Sequence, residues 1–559
     1  QFSTVQSNRI AGYTPSGRIG IRTGRWTLTA SGSGSFTPVA ESRFTETREQ
    51  AGQPLPFAGR SDSKSRTNYG RGHFSAVFDP TPKHTAGFDI EYTERSTHMP
   101  TLSRTTLGQT QSDSRYRQHM DGNTLTATAN YIWKIDTLGS QFKLIADYTR
   151  YTSDGDNSYH TTTCAPGTLR DSLYESATGS VYDILTADAG LTRKLPHGLT
   201  LRAGLRYTRN DMADKSRYAA QTQGTWLALP EYSYDQHYTE QIGAAYASLE
   251  YSAGRWELSA GLRGEYTSVA SQAFGRSYFG LFPNVSVSRA LNALRTWLLV
   301  AQWSRNIERP AFPALNPARI RISDYSWQSG NPSLRPTYIH RFSLTAVWKY
   351  RYTLTVGGNL HHDLIREIAH RDATAPDAVY IRPENHYTEN HWFVAASVPA
   401  KITRWWNLSV NAVGVMQRIR LNSTDSPATH YLMFADATCS FTLPAGFFAE
   451  AAYRAQSRLY SGNSEVGPRH TLSATVKKQL FDKRLTLFCT LSNITGCDWE
   501  FASLTDGMRR TIDTRQAWSG RLWKVGAAWN FRTGKKFRAR TVESAAETQR
   551  KRLVKSTEQ

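Results

Sequence analysis

Long apolar runs are missing from these 559 residues. No stretch approaches the roughly 18 uncharged apolar residues that a membrane-spanning helix needs, and mean hydropathy is −0.53. A helical membrane protein is thereby excluded, whereas crossing a bilayer with strands stays open. Cysteine is scarce as well: there are four, at 164, 439, 489 and 497, with no CxxC pair and no disulfide framework, so a zinc knuckle or thioredoxin-like site is unsupported. Catalytic signatures are also lacking. GxSxG, HExxH and a phosphate loop do not occur, and no enzymatic activity is expected. The N-terminus, QFSTVQSNRI, has none of the charged, apolar and small-residue regions of a signal peptide, so any export leader is expected to have been removed already.

Acidic residues fall short of basic ones, 46 against 67, leaving a formal charge of +21. The excess is spread along the chain, which argues against a nucleic-acid partner. Its densest part is residues 532–559, with nine Lys or Arg against three Glu. That tail is poor in large apolar groups, and the reading is of a barrel domain over 1–531 followed by a basic, disordered periplasmic segment over 532–559.

What the chain has in abundance is a period of two. In residues 198–210, Leu199, Leu201, Ala203, Leu205 and Tyr207 alternate with Thr200, Arg202, Gly204, Arg206 and Thr208, so apolar and polar groups fall on opposite faces of a strand. Trp256, Leu258, Ala260, Leu262 and Tyr266 oppose Glu257, Ser259, Arg263, Glu265 and Thr267 in the same way. Stretches of ten or more such residues exceed the usual strand of a soluble sandwich and suit strands that cross a bilayer around a polar interior. Ten short connectors punctuate them: Thr23–Arg25, Asp79–Lys83, Asp136–Gly139, Leu195–Gly198, Ser252–Arg255, Leu291–Arg295, Lys349–Arg351, Ala400–Arg404, Leu443–Gly446 and Phe481–Arg484. Longer connections alternate with them, the largest near 36–62, 155–178, 212–237 and 306–335, with a weak opening one at 11–17. Tight turns on one side and long loops on the other predict an all-β, membrane-spanning, antiparallel up-and-down β-barrel of about 22 strands. A barrel that wide has a lumen that must be filled. The last strand, RLWKVGAAWNF, is expected to set Trp523, Val525, Ala527, Trp529 and Phe531 toward outer-membrane lipid.

One segment is distinctive: SRNIERPAFPALNPARIRISDYSWQSGNPSLRPTY, which holds Arg309, Pro310, Leu315, Asn316, Pro317, Gly330, Asn331, Pro332, Leu334 and Pro336. With LFPNVSVS at 281–288, RWWNLSVN at 404–411 and LTLFCTLSNITG at 485–496, it resembles the TonB-dependent receptor superfamily, and within it the outer-membrane β-barrel group with LNP and GNP loops. The resemblance implies uptake of a scarce solute across the outer membrane, and coupling to TonB through a plug domain. The barrel pattern begins within the first twenty residues here, so that plug is expected to lie outside this chain. Proline and Asn-Pro independently predict a shaped loop, and ordering of an extracellular loop is the plainer reading of it than ligand contact.

Loop aromatics Trp226, Tyr232, Tyr325 and Trp327 (with Tyr234) are the candidate ligand contacts, against the plainer role of belt or loop packing. Arg202, Arg206, Arg263, Arg454 and Arg458 are expected to line the lumen, guiding an anion or pairing with acids of a plug. His361 and His362 are adjacent and point to opposite strand faces, so no metal site is predicted, and no cofactor. Cys164 and Cys497 would pair only if their outer loops meet. A non-transporting barrel, acting as an adhesin or as the membrane half of a complex with a surface lipoprotein, is the alternative function.

Overall fold

The computed structural model describes residues 1–553 apart from 51, 273, 374, 376, 532 and 534–540. Twenty-two antiparallel strands form a closed barrel. The first nine are β1 Phe2–Gln6, β2 Ile10–Thr23, β3 Trp26–Gln50, β4 Gln53–Thr81, β5 His84–Leu107, β6 Thr110–Lys134, β7 Gln141–Ala165, β8 Thr168–Leu195 and β9 Leu199–Thr222. Then follow β10 Tyr234–Ala253, β11 Trp256–Ser271, β12 Gly275–Ala290, β13 Trp297–Glu308, β14 Thr337–Trp348, β15 Tyr352–Arg371 and β16 Val379–Lys401. The circuit ends with β17 Trp406–Arg420, β18 Ala428–Thr442, β19 Phe447–Gln456, β20 Arg469–Leu480, β21 Leu485–Ser492 and β22 Leu522–Trp529. Closure is by β22 on β1, from Phe2 opposite Ala527 to Gln6 opposite Trp523.

All ten short connectors lie between consecutive strands at one end of the barrel. Two of them, LPHG and LPAG, are built alike: His197 and Ala445 have φ of 60° and 55°, and each is followed by a glycine at φ 75°. A side chain at Gly198 would run into the carbonyl of Ser252, so this turn requires glycine twice over.

The loop end differs from expectation. The opening connection is not at 11–17 but at 7–9, where Ser7 N–H bonds Ile10 O at 2.9 Å. Pro15 made the segment resemble a turn, yet it sits opposite Phe2 at the end of the β1 pairing, where a missing donor costs little. Nor are 36–62 and 155–178 loops. β3, β4, β7 and β8 run through them, with β7 and β8 joined only by residues 166 and 167. At about 3.3 Å per residue the 29 residues of β4 reach about 95 Å, far beyond the 9–11 that cross a bilayer. The outward face of these extensions meets water rather than lipid, so it carries no apolar stripe and looks like loop in sequence. Of the four long connections only 306–335 is largely irregular. It holds the short helix α1, Phe312–Leu315, and a hairpin of Ile320–Ser323 with Ser326–Gln328.

The alternation predicts the wall's two faces. Leu201, Leu205 and Tyr207 are exposed on the outside, whereas Thr200, Thr208 and Asn210 on the inside are no more than 4% exposed. The apolar core is therefore inside the lumen. Tyr182, Ile184, Met212, Tyr238 and Val269 of the wall enclose Phe312, Leu315 and Leu334 of the 309–336 loop, and Leu553 packs against them. That last residue belongs to the basic tail. Its described part, 541–553, is not a disordered periplasmic segment but turns back into the barrel, with a helical turn α2 at Glu547–Arg550.

Candidate functional site

The LNP and GNP motifs pack on each other inside the barrel. Asn316 and Asn331 each accept a bond from the backbone two residues on, Ala318 N at 2.8 Å and Ser333 N at 3.0 Å, which closes an Asx turn at both places. Asn331 N bonds Ala314 O at 2.7 Å. A Cβ on Gly330 would overlap the Asn316 carbonyl, so only glycine permits this contact. Arg309 anchors the loop's start through Glu265 at 2.7 Å and Thr267 at 2.9 Å, with Glu240 at 3.9 Å.

Held from below in this way, the loop presents its hairpin at the loop end of the barrel. Arg319 and Arg321 are two apart and so share a strand face, and Arg321 is the cross-strand partner of Trp327. Both guanidinium groups lie over the Trp327 ring, at 4.4 and 5.2 Å, while Arg319 also covers Tyr232 at 5.4 Å and Arg321 covers Tyr174 at 5.4 Å. With Tyr159 and Tyr218 these groups line a chamber of about 540 Å³. Asp324 orders one side of it, accepting bonds from Tyr116 at 2.9 Å, Thr161 at 3.1 Å and Arg321 at 2.8 Å. Burial pushes the Tyr159 phenol up to about 12 and raises Tyr116 too, with Asp324 adding to the latter, so both remain donors at neutral pH. A larger hollow, about 910 Å³, is lined by Leu144, Leu205, Tyr207, Leu262 and Phe279. It lies on the outward face, where acyl chains supply the contact, and is not a site.

Of the four candidate aromatics, the structure brings two together. Tyr232 and Trp327 line the chamber. Trp226 stands on a hairpin strand paired to the end of β9 and is 40% exposed. Tyr325 packs edge-on against Phe57, 5.8 Å between ring centres. Tyr159, Tyr218, Arg319 and Arg321 went unread in the sequence, although the alternation ARIRIS was a legible sign of a short strand.

Three of the five candidate lumen arginines pair with acids of the wall itself. Arg202 meets Glu250, Arg206 meets Asp188 at 2.7 Å and Arg263 meets Glu265. Arg458 lies beyond the end of β19 and bonds Glu465 at 3.0 Å, while Arg454 stays exposed on β19 opposite Asp436. All four cysteines are free, so Cys164 and Cys497 do not form a disulfide. His361 faces Glu389 O at 2.8 Å and His362 lies against Tyr387, consistent with opposite faces.

The model of the outer membrane protein beta-barrel family matches residues 133–529. The chain belongs to that family. It is an outer-membrane protein, and its loop end is the extracellular one. No curated protein matches it in sequence. Among solved structures, a variant of the ferric enterobactin receptor PfeA from Pseudomonas aeruginosa is 13% identical with a TM-score of 0.56, over 92% of this chain and 80% of that one. The ferric yersiniabactin uptake receptor FyuA from Yersinia pestis gives 12% and 0.58, over 95% and 79%. The siderophore receptor PirA from Acinetobacter baumannii gives 14% and 0.54, over 94% and 80%. At these identities the likeness is one of fold.

The outer chamber of this family member is tied to its tall wall by a buried charge cluster. Glu46 of β3 receives Arg48 at 2.8 Å and Arg510 at 2.8 Å, and Arg510 also reaches Ser326 at 3.1 Å. Burial pushes the Glu46 carboxyl up, but Arg510 and Arg48 outweigh it and leave it below its ordinary value of 4.5. A depressed carboxyl contributes stability above its unfolded value and loses it as pH falls toward the folded one. Acidification below about pH 4.5 should therefore loosen the hairpin from the wall, read as faster proteolysis between residues 319 and 328. A rate unchanged down to pH 3 would remove Glu46 from this role.

Proposed function

We propose that this barrel is a receptor that captures a scarce solute in the outer chamber and passes it inward, in a manner coupled to TonB. The observation that supports it is the set of stacked guanidinium and aromatic faces at the loop end of the barrel, carried by the LNP/GNP loop that packs inside the lumen. Flat faces of Trp327, Tyr232 and Tyr174 suit a solute with rings. Trp327 Nε1 and Arg321 Nε are buried without an acceptor among the described residues, and each such donor costs about 1–3 kcal/mol. An acceptor-bearing solute that shifts the hairpin slightly would relieve that cost. Ferric chelates with aromatic rings meet both requirements, and the neighbours PfeA and FyuA are receptors for ferric enterobactin and ferric yersiniabactin.

The test is uptake of labelled ferric chelates, including ferric enterobactin, by cells with and without the gene. Loss of uptake of at least one chelate on deletion, restored by the gene, is expected. Unchanged uptake of every chelate would favour the second reading, a surface scaffold that holds a lipoprotein, for which the tall extensions β3–β9 supply the wall.

A further inference from the structure

We propose that residues 541–553 are a built-in luminal latch, which grips the LNP/GNP loop from the periplasmic side and holds it in the barrel. The segment climbs the wall in order. Glu543 pairs with Lys143 of β7 at 2.7 Å. Asp147, four residues further along β7 and 1% exposed, accepts Ala545 N at 2.7 Å and Ala546 N at 3.1 Å. Gln549 takes a bond from Asn210 of β9 at 3.3 Å. Arg552 then bonds Glu240 of β10 at 2.5 Å, donates to Pro310 O at 3.0 Å, and lies 4.2 Å from the centre of the Phe312 ring. Leu553 completes the cluster around Phe312.

Complementarity runs along the whole path. A lysine of the wall meets a glutamate of the tail, and two buried wall carboxylates meet tail amides and a tail guanidinium. A buried carboxylate is costly unless paired and hydrogen-bonded, so Asp147 and Glu240 favour the docked segment. Arg552 is the joint of the device, because it touches the wall carboxylate, the Pro310 carbonyl and the Phe312 ring together. The segment thus links the periplasmic end of the chain to the same loop whose hairpin forms the outer chamber. Withdrawal of the tail would free the loop from below.

This inference goes beyond the receptor reading and needs no solute, so the two fail separately. The native protein in outer membranes should carry p-benzoylphenylalanine in place of Leu553. Irradiation should yield adducts on β8–β10 or on residues 312–334. Hydrogen exchange of residues 309–336 should be several-fold faster in a chain ending at 540 than in the full chain, and a synthetic 541–553 peptide should restore the slow rate. Heat-modifiable migration verifies that the shortened barrel is folded, and if it is not, the point variant Arg552→Glu carries the same expectation. Absence of adducts at those positions, or exchange that is equal with and without the tail, overturns the latch.

Discussion

In a Phe312→Ala protein the loop between residues 309 and 336 should leave the lumen, and protease should cut within it while the strands stay intact. Phe312 is fully buried, at the centre of a cluster that joins five wall residues, two further loop residues and Leu553. Truncating a buried phenylalanine costs about 3–5 kcal/mol through lost transfer energy and the cavity left behind. The remaining anchors are Leu315 and Leu334, which lose the ring they pack on, and polar bonds worth about 0.5–1.5 kcal/mol net each, or about 1.5–3 for the Arg309 pair, so they do not restore the filled cluster. Barrel closure depends on the strand ladders and should be unaffected. Mass spectrometry of fragments after brief proteolysis checks both halves. A loop as resistant as in the parent protein would mean that the apolar cluster does not hold it.

The second large effect should follow from Trp327→Ala. This ring is the shelf for Arg319 and Arg321, and it is the group on which the chamber converges. Removing a central aromatic anchor costs about 2 kcal/mol or more, which is about thirtyfold in affinity. Chelate binding to outer-membrane vesicles should weaken by at least that factor, with surface abundance unchanged. Trp226→Ala is the matched control, since that ring stands outside the chamber, and it should bind as the parent does. Equal affinity for all three proteins would move the capture site elsewhere.

Taken residue by residue, legibility follows physical cause. The wall was readable because lipid on one side and a polar interior on the other impose a period of two at every strand. The turns were readable because tight backbone demands Pro, Gly, Asn or Asp. Loop shape was visible in Asn316, Pro317, Gly330 and Pro332, yet its inward direction was not, since Phe312, Leu315 and Leu334 look the same whether they cover a loop or fill a lumen. For Tyr325 both ligand contact and loop packing stay open in sequence, because an aromatic in a polar loop carries no mark of the partner, Phe57, that lies 268 positions earlier.

By itself the sequence determined an all-β outer-membrane barrel, its strand number and which face of each strand meets lipid, because these depend on local spacing against a uniform solvent. Only the tertiary structure decided what fills the barrel. The tail has little apolar surface and reads as solvated. Its residues 541–553 are held by Asp147, Asn210 and Glu240, whose side chains meet them across more than 300 residues of chain. Contacts of that range leave no periodic trace in sequence, since each rests on one charge or one hydrogen bond placed by the closure of the barrel.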